Sequence, residues 1–261
     1  MPRRGVLVLA LVASPLVAQS GFEARTSVRL FGGTALNQPL LWRIPKQPIL
    51  VRGTEAAPQY DTLALARSLE PSLTFGVAFT HFPTSHVGLA GRLAFLGLER
   101  VSRCSGVYYN GVQRDNESLC ASIQRQRRNL GLVMLDLQGI ARTMPRGPIS
   151  PSLHAGVTVA TYTGSTVYLE GMYPNGIRIV IDDPTPGSIA IGATLGLTPT
   201  PALGSGYQLA LDLSDTWLGL PVVAGPANTG AHAPTTTRYS RHTVFSLGLD
   251  LVLDGKRGRR Y

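Results

Sequence analysis

The sequence is poor in the residues that most often announce a chemistry. Of 261 residues only two are cysteine and five are histidine. Two thiols do not make a zinc site, and no metal-spaced histidine cluster occurs. There is no glycine-rich phosphate loop in context and no spaced carboxylate pair, so no cofactor is expected. Charged residues make up 15% of the chain and aromatic residues 7%. After the N-terminus no apolar run reaches the roughly 20 residues of a membrane-spanning helix. A helical membrane anchor is therefore not expected. What the chain does have is 29 Gly and 19 Pro, a composition that suits many short strands and turns rather than long helices.

The N-terminus carries Arg3 and Arg4, then the apolar run from Val6 to Val12, then small residues ending in Leu16, Val17 and Ala18. This is the three-part pattern of a secretory signal peptide, with cleavage after Ala18. The formal charge of +9 falls to +7 when its two arginines are removed. An exported chain without a recognition motif is not expected to bind nucleic acid. Export also places Cys104 and Cys120 in an oxidising compartment, where so close a pair is readily a disulfide. Such a bond closes a loop of about 15 residues and contributes on the order of 3 kcal/mol.

Beyond residue 18 the apolar residues repeat with period two, the signature of strands. Near the C-terminus Phe245, Leu247, Leu249, Leu251 and Leu253 alternate with Ser246, Gly248, Asp250 and Val252. A helix would scatter the leucines around its circumference; a strand puts them on one face. The same reading holds in 22–30, 73–79, 87–95, 153–161, 189–197 and 207–217. It is weakest in 129–141, where Leu132 breaks the alternation. About eight strands result. Their second face is rich in Gly, Ala, Ser and Thr with few charges. A soluble sheet exposes a charged face and buries its large apolar one. Here the small face suits the inside of a narrow barrel and the leucines suit lipid.

The connections alternate in length. Short turns lie at 81–86, 145–148 and 199–206, and long ones at 34–70, 101–128, 163–188 and 219–240. That is the layout of an outer-membrane barrel with periplasmic turns and extracellular loops. Tyr207 and Trp217 share a face ten residues apart, which is about 25 Å along the membrane normal for a strand tilted near 40°. Leu63, Leu65 and Leu69 keep the parity of the second strand, so that strand begins early or follows a short helix at 62–70. The residues 166–170 and 177–182 read as an outward extension of strands five and six, which leaves a ten-stranded count open.

On these features the chain, over roughly 20–253, resembles the small outer-membrane β-barrels, OmpA-like and OmpW-like. The resemblance implies an all-β, antiparallel, up-and-down transmembrane barrel of about eight strands at 19–253, followed by a basic tail at 254–261. It implies a Gram-negative outer membrane, with lipid, lipopolysaccharide and the barrel-assembly machinery as partners. Barrels of this group usually end on an aromatic residue that closes the last strand; here Tyr261 follows a basic tail.

Three groups of residues are candidates for a role. Glu23, Arg25, Arg29, Arg92, Asp136, Asp212 and Asp250 sit on the inward face. Charges there must pair or meet water, so they form either ion pairs that plug the lumen or the lining of a narrow, gated pore. Arg125, Arg127 and Arg128 lie in a loop at the extracellular rim. Arginine suits phosphate, and these three are candidate contacts to lipid phosphate, with solvated surface charge as the plainer alternative. Ser240 and His242 share a face, with Asp215 and Asp183 at similar height. That spacing is not the pattern of lipid-modifying barrel enzymes, and no catalysis is expected. The expected role is structural, adhesive or surface-interacting, carried by the long loops. A narrow channel, a lipid A-modifying enzyme and a soluble lipocalin-like binder are the alternatives.

Overall fold

The computed structural model describes residues 23–52, 59–108, 113–173, 176–183, 189–203, 206–227 and 232–254. The leader at 1–18 and the tail from 255 onward lie outside them. The described residues form β1 (Thr26–Ala35), β2 (Leu40–Arg52), β3 (Gln59–His81), β4 (Val87–Tyr108), α1 (Gln113–Arg125), β5 (Arg128–Arg142), β6 (Ile149–Tyr162), β7 (Leu169–Tyr173), β8 (Gly176–Ile181), β9 (Ile189–Pro201), β10 (Tyr207–Val223) and β11 (Thr235–Val252).

Eight of these strands close a ring. β1 pairs with β11, which leads through β10, β9, β6, β5, β4 and β3, and β3 pairs with β1 again. Every pairing in the ring is antiparallel. Closure leaves no unpaired edge inside lipid, which is what a membrane-spanning sheet requires. β7 and β8 form a separate hairpin outside the ring, so the barrel has eight strands and not ten.

The stagger of the ring follows from its register. The Leu36 N–H donates to the Thr243 carbonyl. From Thr243 the paired residues run through Asp215, Leu195, Ala155, Gly139, Leu89 and His81 to Thr26. One circuit from residue 36 to residue 26 is a shear of ten. With eight strands at ordinary spacings, that shear sets a tilt of about 40°. Ten residues at that tilt rise about 25 Å, the height of a transmembrane apolar band. The stagger is just over one residue per strand. The plane through Leu36 therefore crosses β10 beside Trp217, and the plane through Thr26 crosses it beside Tyr207.

Between those planes the outward residues are the expected ones. Leu30, Leu73, Phe75, Val77, Phe79, Leu89, Leu93, Leu135, Leu137, Leu153, Ile191, Leu247 and Leu249 are all exposed, Leu73 most of all at 71%. Such a continuous apolar exterior has no place in water.

Above the band the structure departs from the sequence reading. β3 continues to Gln59, β4 to Tyr108 and β10 to Val223, so much of each expected loop is strand. No helix forms at 62–70. Nor do Leu63, Leu65 and Leu69 keep the outward parity of Leu73 and Phe75; they are buried, while Leu73 and Phe75 are exposed. The cause is a register shift in the β3–β4 ladder between Pro71 paired to Leu98 and Thr74 paired to Leu96. Two residues of β3, Ser72 and Leu73, face the single Gly97. That extra residue inverts every side chain beyond it.

Leu132 does not break the pattern of β5. It keeps inward parity with Leu130, Met134 and Asp136 and is fully buried. The inside itself changes character, from polar within the band to apolar above it. Leu96, Leu98, Leu130, Leu132, Leu218 and Leu220 point inward there and join one buried cluster with Leu41, Trp42 and Ile44 of β2, Leu119 and Ile123 of α1, and Leu169 of β7. The helix α1, inside the expected loop 101–128, was not foreseen. The Cys104–Cys120 disulfide joins it to β4, and Gln124 Nε2 donates to the Cys104 carbonyl at 2.6 Å.

Candidate functional site

The lumen within the band is the candidate site, because it gathers buried polar side chains from most of the ring. Arg92 of β4 donates from Nη1 to Asp212 Oδ2 of β10 at 3.2 Å, and its Nε lies 3.9 Å from Asp136 Oδ2 of β5. Its guanidinium covers the Phe31 ring of β1, 4.3 Å from the centroid. On the far side of Asp212, Oδ1 lies 2.9 Å from His154 Nε2 of β6 and accepts from the Thr198 hydroxyl of β9 at 2.7 Å. Asp136 accepts from the Thr158 hydroxyl at 2.6 Å. A hydroxyl chain then runs from Thr158 to Thr194 at 2.7 Å and on to Thr216 at 2.9 Å. Arg92, Asp136, His154 and Asp212 are all buried. An eight-stranded interior is just wide enough for side chains to fill, and this layer fills it.

The seven charges expected to share the lumen separate into three groups. Arg92, Asp136 and Asp212 form the central layer. Arg29 and Asp250 pair below it through two bonds of 2.6 and 2.9 Å. Glu23 and Arg25 precede β1 at the short-turn mouth. Glu23 accepts from Arg142 and from Arg146, each at 3.4 Å. Burial pushes the Glu23 carboxyl up, but a hydrogen bond from Ser85 and the Arg142 and Arg146 charges together outweigh it and hold the pKa below its ordinary value. Arg25 is exposed, and its backbone N–H donates to Asp254. Among the described residues its guanidinium makes no ion pair.

Three further buried residues, two in the lumen and one in the apolar layer above it, carry no local mark in the sequence. His154 sits on the polar face of its strand, and nothing local marked it as the partner of Asp212. Arg142 lies one position beyond the expected end of its strand. It donates to the carbonyls of Ser85 and Ala24, both at 2.6 Å, and stacks on Phe82, 3.8 Å from the ring centroid. Continuing the inward alternation Gln138, Ile140 by one step would have found it. Arg67 lies beyond the β3 bulge, whose inversion hid it. It is buried in the apolar layer, donates to the carbonyls of Thr166 at 3.2 Å and Tyr168 at 2.7 Å, and lies 5.3 Å from the Trp42 ring centroid. Burial first, then the Arg100 and Arg128 charges, lowers its pKa to about 9.

The rim arginines each have a partner. Arg127 bridges Glu70 at 3.6 Å and Glu99 at 3.4 Å. Arg128 pairs with Glu170 at 3.4 Å. Arg125 Nε donates to the Ala121 carbonyl at 3.1 Å within the last turn of α1. Ser240 and His242 point inward and are buried. Asp215 lies on the opposite, outward face, held by Arg241 at 2.6 Å and Thr243 at 2.5 Å, and Asp183 accepts from Ser165. The Ser–His–carboxylate set is not brought together.

Below the central layer a cavity of about 320 Å³ opens toward the short turns, lined by residues of all eight ring strands. Above that layer the apolar cluster closes the other end. The fold and exterior thus define an eight-stranded transmembrane β-barrel with a filled waist.

No family model and no curated protein matches the chain. Among solved structures it is similar to the outer membrane protein OprG from Pseudomonas aeruginosa, at 11% identity over 88% of this chain and 98% of that one, with a TM-score of 0.46. It is also similar to the outer membrane protein AlkL, at 12% identity over 92% and 96% with a TM-score of 0.40. A third likeness is to Neisserial surface protein A, at 9% identity over 87% and 97% with a TM-score of 0.37. The membrane-spanning character of the chain follows from its own shear and exterior.

Proposed function

We propose that the protein is an integral outer-membrane barrel with a closed lumen, exported through a cleaved leader, whose role is structural or surface-interacting and is carried by the part above the band. The observation that carries this reading is the stacking of two seals. The Arg92–Asp136–Asp212–His154 layer fills the waist, and the apolar cluster of β2, α1, β7 and the upper ring strands fills the space above it. A pore would need both to move. On this reading the long-strand end faces the exterior, where lipopolysaccharide surrounds the Glu70, Glu99, Arg127 and Arg128 belt, and the short turns face the periplasm. No catalytic role is assigned to it.

The test is conductance of the refolded mature chain in planar bilayers, together with its heat-modifiable migration and its fractionation with outer membranes. The expected result is an outer-membrane, heat-modifiable protein without channel steps. Discrete steps would favour the narrow-channel alternative instead, and recovery from the soluble fraction would remove the membrane assignment.

A further inference from the structure

The cavity below the waist carries no unmatched charge. Four arginines line it, Arg25, Arg29, Arg92 and Arg142, and each has a carboxylate beside it. Arg29 pairs with Asp250 and Arg142 with Glu23. Arg92 lies between Asp136 and Asp212. Asp254 sits at Arg25, where its carboxylate accepts from the Arg25 and Thr26 N–H groups. Neither an anion nor a cation finds an unbalanced partner there.

What the wall offers is neutral. Ser27, Thr80, Ser150 and Ser246 line the cavity, as do Gln138 and Gln208. The four hydroxyls, the Gln208 amide and Gln138 Oε1 make no hydrogen bond among the described residues, and none of them is enclosed by protein. They open on the cavity. Their placement follows from the register of the ring. Ser27 of β1 is paired with Thr80 of β3, Thr80 with Ala90 of β4, and Ala90 with Gln138 of β5. Paired side chains on one face lie about 5 Å apart. Two hydroxyls and an amide oxygen thus form one row, and the small Ala90 leaves room within it. Ser150 of β6 and Gln208 of β10 come from the other half of the ring. Ala78, Ala90 and Ile140 supply aliphatic surface between these groups. The volume of about 320 Å³ is in the range that holds a small organic molecule.

The geometry points to a binding site for a compact, uncharged polyhydroxylated molecule, a monosaccharide or cyclic polyol, entered from the short-turn end. A protein hydroxyl donates and accepts, and a glutamine amide oxygen accepts, so the row from Ser27 to Gln138 meets ring hydroxyls in either sense. A polar wall favours a ligand that replaces its hydrogen bonds to water and rejects one that cannot. The C–H surface of the ring rests on Ala78, Ala90 and Ile140. The site goes beyond the proposed surface role. It stands on the barrel alone and holds whether or not the lumen conducts.

The experiment uses the refolded full mature chain in zwitterionic lipid nanodiscs. The ¹⁵N–¹H signals of the Gln138 and Gln208 side-chain amides are followed during titration with glucose, glucuronate, protonated glucosamine and cyclohexanol. These probes share a six-membered ring and differ in charge and in hydroxyl number. Saturable shifts of both signals with glucose are expected. Cyclohexanol is expected to bind at least about tenfold more weakly, and neither charged sugar should bind more tightly than glucose. Thr80→Val, which keeps the shape and removes the hydroxyl, and separately Ser27→Ala should each weaken glucose binding several-fold while leaving heat-modifiable migration unchanged. The absence of a saturable shift with glucose, or equal binding of cyclohexanol, overturns the site. Tighter binding of glucuronate or glucosamine overturns its neutrality and with it the proposal. Glucose affinity equal to wild type in both variants overturns it as well, and the wild-type titrations decide the matter even where a variant fails to refold. A failed conductance test leaves all of these outcomes readable, so the two proposals fail separately.

Discussion

At the scale of single residues the waist is held by one arginine shared between two carboxylates. Removing a partner from a buried charge pair is more costly than never having had the pair, because the remaining charge stays desolvated. Asp212→Asn leaves Arg92 only the 3.9 Å contact to Asp136 and takes the charge from the bonds to His154 and Thr198, so it is expected to lower stability by about 2 kcal/mol, read from urea unfolding of the refolded barrel. An unchanged midpoint would mean that water already screens Arg92. Gly196 serves the same layer by absence. A Cβ there would lie 2.4 Å from two atoms of the His154 ring, so the glycine makes room for the ring that holds Asp212. Glu23 at the mouth has a pH signature. Its folded pKa is below the ordinary value of 4.5, so its stabilisation is present above that value. It is lost as pH falls through the lower folded value. Wild-type protein is expected to resist heat better than Glu23→Gln at neutral pH, with the difference closing as the solution is acidified below the ordinary carboxylate range. A gap that persists in acid would show that the carboxyl contributes by packing and not by charge.

At the scale of elements the bulge in β3 is the decisive feature. It lets one strand present Leu73, Phe75 and Val77 to lipid and, beyond it, Leu63, Leu65 and Leu69 to the interior. Deleting Ser72 should restore a single parity and force those three leucines outward. The deletion variant is expected to show little or no heat-modifiable band in refolding trials, whereas Ser72→Ala, which keeps the bulge, should refold like wild type. Efficient folding of the deletion variant would mean that the upper strands re-pair without regard to parity. Around the bulge the extramembrane elements are stitched crosswise. Gln47 of β2 donates to the Ala227 carbonyl at 2.8 Å and accepts from the Ala227 N–H at 2.9 Å. Met172 N–H of β7 donates to Ser122 of α1 at 2.7 Å, and Trp42 Nε1 donates to the Thr166 carbonyl at 3.0 Å. These bonds turn long connections into a lid with a core of its own.

At the scale of the whole molecule the shear of ten places Leu247 near the middle of the band and Met172 on the hairpin above it. An arginine at a lipid-facing midplane position costs about 2–4 kcal/mol, and far less near an interface. Leu247→Arg should therefore lower barrel stability by that amount in lipid vesicles, while Met172→Arg changes it little. Equal effects would misplace the band. Much of this architecture was legible from sequence. Period two along each strand, the large outward leucines against small inward residues, and the short turns at one end are properties of neighbouring residues. They were enough for eight strands, their facing, and the aromatic positions Tyr207 and Trp217. Inward charges such as Asp136 and Asp212 could also be placed on their faces. Which charge meets which could not, because Arg92 and Asp212 are 120 residues apart and meet only through the ring's stagger. The inversion of Leu63, Leu65 and Leu69 was hidden for a related reason. A bulge is a mismatch between two strands, and a single strand read alone carries no sign of its partner's count. The closure above the waist also belongs to the tertiary structure. Leu96, Leu132 and Leu218 continue their strands' inward parity as leucines, and whether an inward leucine meets a core or a void depends on segments folded over it from elsewhere in the chain. Local periodicity determined the strands and their two faces; long-range pairing decided the register, the pairs and the seal.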